Sequence, residues 1–193
     1  MSNELAIAPT AWPVAIEELR AHCRLDPDLA DQDGRLAAFL EAAVVHAERF
    51  TGRQIVTATR IERLDGFPGS GGTIRPGFPP LASVTSLEYV DTAGDTQALV
   101  EGTDFDVDAA CAPARIRPSW GQAWPATRVR MNAVTLTYVC GTAPEDVPEP
   151  IRLAIAQIVA DWFRDRESLA ERPPQALPAA GERLLRPYAV WAA

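Results

Sequence analysis

The chain has 193 residues, with 26 acidic and 18 basic side chains and a formal charge of -8, a length that suits one domain or one domain with a lobe. All 18 basic residues are arginine, which removes Schiff-base lysines, phosphate-loop lysines and lysine general bases. The acidic balance argues against a free nucleic-acid binder, because that binding is driven by neutralising phosphates with Lys and Arg, whereas 47% hydrophobic and 23% charged residues suit a chain that buries a core.

The N-terminal stretch, residues 1–12, has no basic region and no long apolar run, so it does not read as a secretory signal, and a soluble, cytoplasmically made protein is expected. Three widely spaced cysteines, Cys23, Cys111 and Cys140, argue against a disulfide framework. A first short helix is predicted from Val14 to about Leu25, with Glu17 and Glu18 at the positive end of its dipole. An acidic run from Asp26 to Asp33 leads into a longer one, in which Leu36, Leu40, Ala43, Ala47 and Phe50 recur at helical spacing and Gly52 supplies the stop.

From Gln54 the period changes. A β-rich segment, Ile55 to Leu64, ends in the turn cluster Gly66 to Gly72. Strands are then predicted at Val84–Val90, Gln97–Val100, Phe105–Val107, Arg115–Arg117 and Val129–Val139, with a hairpin turn at Asp91–Gly94. Helical periodicity returns after Pro144, Pro148 and Pro150, where Ile151, Ala154, Ile155, Ile158, Val159, Trp162 and Phe163 form one wide apolar face. The stretch is broken by Arg152, Gln157 and Asp161 and is too short to span a bilayer, which takes about 20 apolar residues.

Helices, then strands, then a helix indicate an α+β fold rather than alternating βαβ units. The expected division is N-terminal helices over 1–54, a β-rich segment over 55–145, a C-terminal helix over 146–172 and an extended tail over 173–193.

Candidate chemistry is sparse. Asp31-x-Asp33-Gly34 copies the centre of a calcium loop, but with Gly34 at position six, Leu29 and Leu40 stand where carboxylate ligands are needed. Asp104, Asp106 and Asp108 alternate as on one face of a wet edge strand, where an arginine or a divalent ion would neutralise them. The glycines at 69–72 lack both a following helix and a Gly-Lys ending. His22 and Cys23 are adjacent and point about 100° apart on a helix, which leaves His46 with another cysteine as the remaining nucleophile pair. No catalytic, metal or cofactor site is therefore expected. Trp162 reads as core, whereas Trp120, Trp124 and Trp191 fit protein contacts.

Several short motifs occur in a recognisable order: Glu48-Arg-Phe-Thr51-Gly52-Arg53, Phe78-Pro-Pro-Leu81-Ala-Ser-Val84, Tyr89-Val-Asp91 with Gly94, Phe105-Asp-Val and Ala114-Arg-Ile-Arg-Pro118. Gly121-Gln-Ala-Trp124-Pro125, Leu136-Thr-Tyr138-Val-Cys-Gly141, Asp146-Val-Pro148 and Ala154 through Trp162 to Glu167 follow. On these, over roughly Leu19 to Tyr188, the sequence resembles the head-to-tail connector (adaptor, or head-completion) proteins of tailed bacteriophages, prophages and gene transfer agents. No single motif is specific; their order and spacing carry the likeness.

The resemblance implies a small helical bundle, its C-terminal helix packing on the N-terminal helices, with a β-rich insertion between them, in a non-enzymatic virion protein at the head-to-tail junction, assembled in the bacterial host cytoplasm. Implied partners are the portal protein, a stopper or tail-terminator protein, and further copies of the chain in a ring, usually of twelve, through which DNA passes without sequence-specific binding; no membrane is involved. The tail residues Leu184, Leu185, Pro187, Tyr188 and Trp191 are apolar anchors in a proline-broken segment and are expected either to dock on the portal or to cover the bundle. Trp120 and Trp124 are the other expected interface residues. Rival readings are a DNA-packaging or DNA-binding accessory factor and, behind it, a small hydrolase relying on His46 or Asp104 to Asp108. Near-neutral charge at the C-terminus, with 6 arginines against 5 acids over 151–193, suits the part that grips a partner.

Overall fold

The computed structural model describes residues 2–25, 32–69, 71–164 and 179–190. The chain divides into a β unit, residues 1–9 and 57–142, and a helical unit, residues 10–56 and 143–193.

The β unit is built on a five-stranded antiparallel sheet of β1 (Ser2–Ile7), β2 (Ala58–Leu64), β3 (Leu81–Val90), β4 (Thr96–Leu99) and β7 (Val134–Cys140), in the order β1-β2-β7-β3-β4, with a separate ribbon of β5 (Phe105–Asp108) and β6 (Arg115–Pro118). Its centre is β7, where Val134, Leu136, Tyr138 and Cys140 are buried and alternate with half-buried Thr135, Thr137 and Val139. That two-residue period is what one covered sheet face demands. Leu81 and Leu87 of β3, Phe105 of β5, Ile116 of β6 and Ile74, which bridges to Ile116, complete the core beneath that face.

In the helical unit, α1 (Ile16–His22), α2 (Asp33–Thr51), α3 (Glu149–Arg164) and α4 (Ala179–Leu185) share one core. Ile151, Ala154, Ile155, Ile158 and Val159 of α3 and Leu36, Leu40, Ala43, Val44 and Ala47 of α2 are buried, at the three- and four-residue spacing of one helical face. Gly52 ends α2 at φ 65°, a left-handed conformation that glycine adopts without steric cost. Glu48, 7% exposed, is buried because its Oε1 accepts from Gln54 Nε2 at 2.5 Å and from the Ile55 amide at 3.0 Å.

The structure corrects three sequence expectations. Residues 1–54 are not helical throughout, since Ser2–Ile7 pair with β2 as an edge strand. The last long strand starts at Val134 rather than Val129: Asn132 sits at φ 56°, and Val129 and Met131 are 102% and 79% exposed at a loop tip. The 173–193 stretch is not wholly extended, because Ala179–Leu185 is a helix, continued by a 3-10 turn over Arg186–Tyr188. Apolar side chains at 184, 185 and 188 reach one core only when the backbone coils.

Candidate interaction surfaces

A cluster of polar side chains lies inside the β unit. Arg60 and Glu62 point to the covered sheet face, opposite Tyr138 and Leu136 respectively, and are 9% and 2% exposed. Buried charge persists only when paired and hydrogen-bonded. Here Asn3 of β1 donates from Nδ2 to Glu62 Oε2 at 3.0 Å and to Tyr138 Oη at 2.8 Å, and accepts from Arg60 Nη1 at 3.1 Å. Gly77 closes the cluster: its amide donates to Glu62 Oε2 at 3.0 Å and its carbonyl accepts from Tyr138 Oη at 2.8 Å. A Cβ at Gly77 would come within 3.2 Å of Asn3 Nδ2, so glycine permits the close approach. The Arg60 guanidinium lies 3.6 Å from the Phe78 ring centroid, a cation–π contact.

Burial raises the Tyr138 phenol well above its ordinary pKa, with the Glu62 charge adding to the rise and the Asn3 hydrogen bond opposing it. The phenol is therefore held protonated, as a fixed donor to Gly77. The cluster anchors β1, whose own side chains are mostly exposed. Sequence reasoning passed over Asn3, Arg60 and Glu62. The available signal was two opposite charges two residues apart in a strand, which share a face.

The residues weighed for chemistry are scattered. Asp104 accepts the Val100 amide at 2.8 Å, Asp106 accepts Ser119 Oγ at 3.0 Å, and Asp108 pairs with Arg115 at 2.6 Å. Each carboxylate thus has its own partner, and among the described residues no group of three or more His, Cys, Asp or Glu converges as a metal site. Asp33 of the calcium-like run pairs with Arg20, whereas Asp31 lies outside the described residues.

His46 stands edge-on to Trp162 at 6.0 Å between centroids, and burial, aided by the Arg49 charge, lowers its pKa. His22 and Cys23 line a cavity of about 730 Å³ with Asp161 and Phe163. Burial raises the Cys23 thiol, the opposite of what a thiolate nucleophile requires.

The apolar tail residues do not form one surface. Leu185 is 0% exposed inside the helical core, Leu184 and Tyr188 pack partly buried against that core, and Pro187 is exposed. Trp191 lies outside the described residues. The segment is strapped to the end of α2, with Arg53 Nε donating to the Tyr188 carbonyl at 2.6 Å and the Val190 amide to the Thr51 carbonyl at 2.7 Å.

The two loop tryptophans part company. Trp124 is half-buried, stacked on Phe67 at 4.6 Å and 2°, with Nε1 donating to the Gly72 carbonyl at 2.8 Å. Trp120 is 100% exposed, beside Asp106, Pro118 and Arg117.

No family model matches this chain, and no curated protein does. Its fold does match chains of solved structures. One is described as the neck of an empty GTA particle computed with C6 symmetry, at a TM-score of 0.78 and 20% identity, covering 100% of this chain and 97% of that one. A second comes from the neck of a native GTA particle computed with C12 symmetry, at 0.75 and 20%, with the same coverage. A third belongs to the virion of a native gene transfer agent (GTA) particle, at 0.73 and 21%, again covering 100% and 97%. The chain therefore shares the α+β fold of these proteins along its whole length.

Proposed function

We propose that this chain is a structural head-to-tail connector, or adaptor, in the neck of a phage-like particle of the gene transfer agent or tailed-phage kind. In this role it forms a ring beneath the portal, extends the DNA channel and presents a platform to a stopper or tail-terminator protein. The observation that carries the proposal is the fold shared end to end with chains of gene transfer agent necks and virions, at TM-scores of 0.73 to 0.78. Two of those necks were computed with C6 and C12 symmetry, which supports a ring of many copies, twelve in the proposed reading. The work is mechanical and needs no catalytic group or cofactor.

Physical chemistry supports the reading at two points. Ring contacts are head-to-tail and close by rotation, and guanidinium pairs with carboxylates bidentately, so a chain with arginine as its only strong cation and a surplus of acids suits such seams. A net charge of -8 would also keep an acidic channel wall from holding DNA as it passes.

The C-terminal segment remains the proposed portal contact. Leu185 anchors it in the helical core, while Pro187, the open sides of Leu184 and Tyr188, and Trp191 meet the partner. Trp120 is the proposed contact to a neighbour in the neck, and Trp124 supports its loop from within. Electron microscopy of the protein mixed with the portal protein of the same particle tests the proposal. A coaxial ring on the portal is the expected image; off-axis attachment, or no attachment, overturns the reading.

A further inference from the structure

Two exposed patches have apolar centres and opposite charge. The loop before β7 presents Arg128, Val129, Arg130 and Met131, all exposed, with Val129 at 102% and Met131 at 79%. Arg130 Nε reaches only the neighbouring Met131 carbonyl, at 3.2 Å, and among the described residues no carboxylate forms a salt bridge with Arg128 or Arg130. Two nearby acids are turned to backbone: Asp65 accepts the Asn132 amide at 2.9 Å, and Asp91 Oδ1 accepts the amides of residues 93 to 95 at 2.9 to 3.0 Å; a third, Glu88, lines a cavity with Arg130 without a salt bridge to it among the described residues. A fully exposed valine and a methionine between two arginines, in a chain of net charge -8, make a basic, apolar tip.

The start of α3 has the opposite character. Glu145 and Asp146, in the 3-10 turn that leads into the helix, and Glu149 in its first turn are exposed, and Leu153, one turn on from Glu149 on the same face, is 44% exposed. Glu18 of α1 joins them through Arg152, which binds it at 3.0 Å and Glu149 at 3.4 Å. One arginine stands among four carboxylates, so the patch keeps a surplus of negative charge around an uncovered leucine.

We propose that the 128–131 tip of one copy docks on the acidic face at the start of α3 of a second copy. This deepens, and rests on, the reading that copies of the chain assemble around one axis. Charge complementarity selects the occupant: the tip's arginines meet Glu145, Asp146 and Glu149, and Val129 and Met131 cover Leu153. Because donor and acceptor are different surfaces, the contact is heterologous, the type of interface from which cyclic rings are built when the rotation closes. Among the described residues nothing covers either patch, as their exposures show. Association through these charges weakens as salt screens them.

The test is sedimentation velocity of the full chain over a range of concentration and salt. Arg128→Glu with Arg130→Glu, or Glu145→Arg with Asp146→Arg, each weakens self-association at least about tenfold; the four changes in one chain restore it. Val129→Ser with Met131→Ser, which leaves charge untouched, weakens it independently. Unchanged circular dichroism and melting establish that these surface variants fold. Self-association indifferent to either reversal, or not restored in the fourfold variant, overturns the contact and leaves the ring reading standing. A wild-type chain that stays monomeric throughout also overturns it, while the portal mixture still judges the ring. Reversals that abolish only portal attachment assign the surface to the portal and overturn it too.

Discussion

Tyr138→Phe removes a single oxygen from the centre of the β unit and leaves the packed ring in place. Two groups lose a close partner: the Gly77 carbonyl, which accepts from Tyr138 Oη at 2.8 Å, and one N–H of Asn3 Nδ2, which donates to it at 2.8 Å; Glu62 Oε2 loses a longer contact at 3.4 Å. The other Asn3 N–H keeps Glu62 at 3.0 Å. An orphaned buried polar group costs about 1–3 kcal/mol; with both groups part-buried, the expected loss is about 2–4 kcal/mol, a large share of the roughly 5–15 kcal/mol that holds a domain folded. Urea unfolding followed by tryptophan fluorescence reads it, since Trp124 stacked on Phe67 reports on this unit. With a urea slope of about 1–3 kcal/mol per molar, the midpoint should fall by about one molar or more.

Asn3→Ala in the same series removes the side-chain hydrogen bonds that tie β1 to Glu62, Tyr138 and Arg60 together, leaving its backbone ladder with β2. The double variant should lose less than the sum of the singles, because the two residues share a hydrogen bond. The raised phenol pKa adds a pH signature. The unfolded chain gives up this proton near pH 10 while the folded chain keeps it. Stability from this group is therefore full below about pH 10 and declines above it, and Tyr138→Phe should remove that part of the alkaline decline. A loss under about 0.5 kcal/mol, within the range of ordinary surface substitutions, together with strict additivity, would refute the claim that the cluster pins β1.

Leu185→Ala should cost about 2–5 kcal/mol in urea unfolding, the range for emptying a fully buried leucine site, because Leu185 is 0% exposed; a loss below about 1 kcal/mol would mean that α4 is not part of the core. Pro187→Ala with Tyr188→Ala should weaken portal attachment, scored by pull-down, far more than it alters the melting temperature. The His46 pKa is lowered by burial and by Arg49, so its share of stability is full above about pH 6.5, where the unfolded chain begins to take up the proton, and is lost as pH falls from there through the lower pKa of the folded chain. His46→Phe, which keeps a ring against Trp162, should flatten the stability profile on the acid side.

Much of the framework was legible because local rules and tertiary packing agree there. Gly52 reads as a helix stop and sits in the left-handed conformation at φ 65°. The α3 face from Ile151 to Val159 is apolar at helical spacing and is buried, and Asp91 to Gly94 reads as a turn and joins β3 to β4. In each case a segment of one to five turns or a single hairpin carries its own signal, and packing only reinforces it.

Where long-range partners decide, the sequence alone says little. In β2, Ala58 and Leu64 share a face with Arg60 and Glu62 while Ile61 is on the other, so alternation alone does not say which face is covered; Arg60 and Glu62 take it because Asn3, Gly77, Phe78 and Tyr138 supply their partners from far along the chain. Likewise β1 shows no buried stripe, since an edge strand pinned by one asparagine needs none. Trp124 and Trp120 have equal claims as loop tryptophans until Phe67 and the Gly72 carbonyl take one of them. The sequence by itself determined composition, helical faces, turns and the order of elements, which depend on near neighbours. Only the tertiary structure decided which charges lie inside and which apolar side chains, Trp120, Val129 and Met131 among them, stay outside for a partner. Burial is a property of what packs against a residue, and those neighbours come from distant parts of the chain.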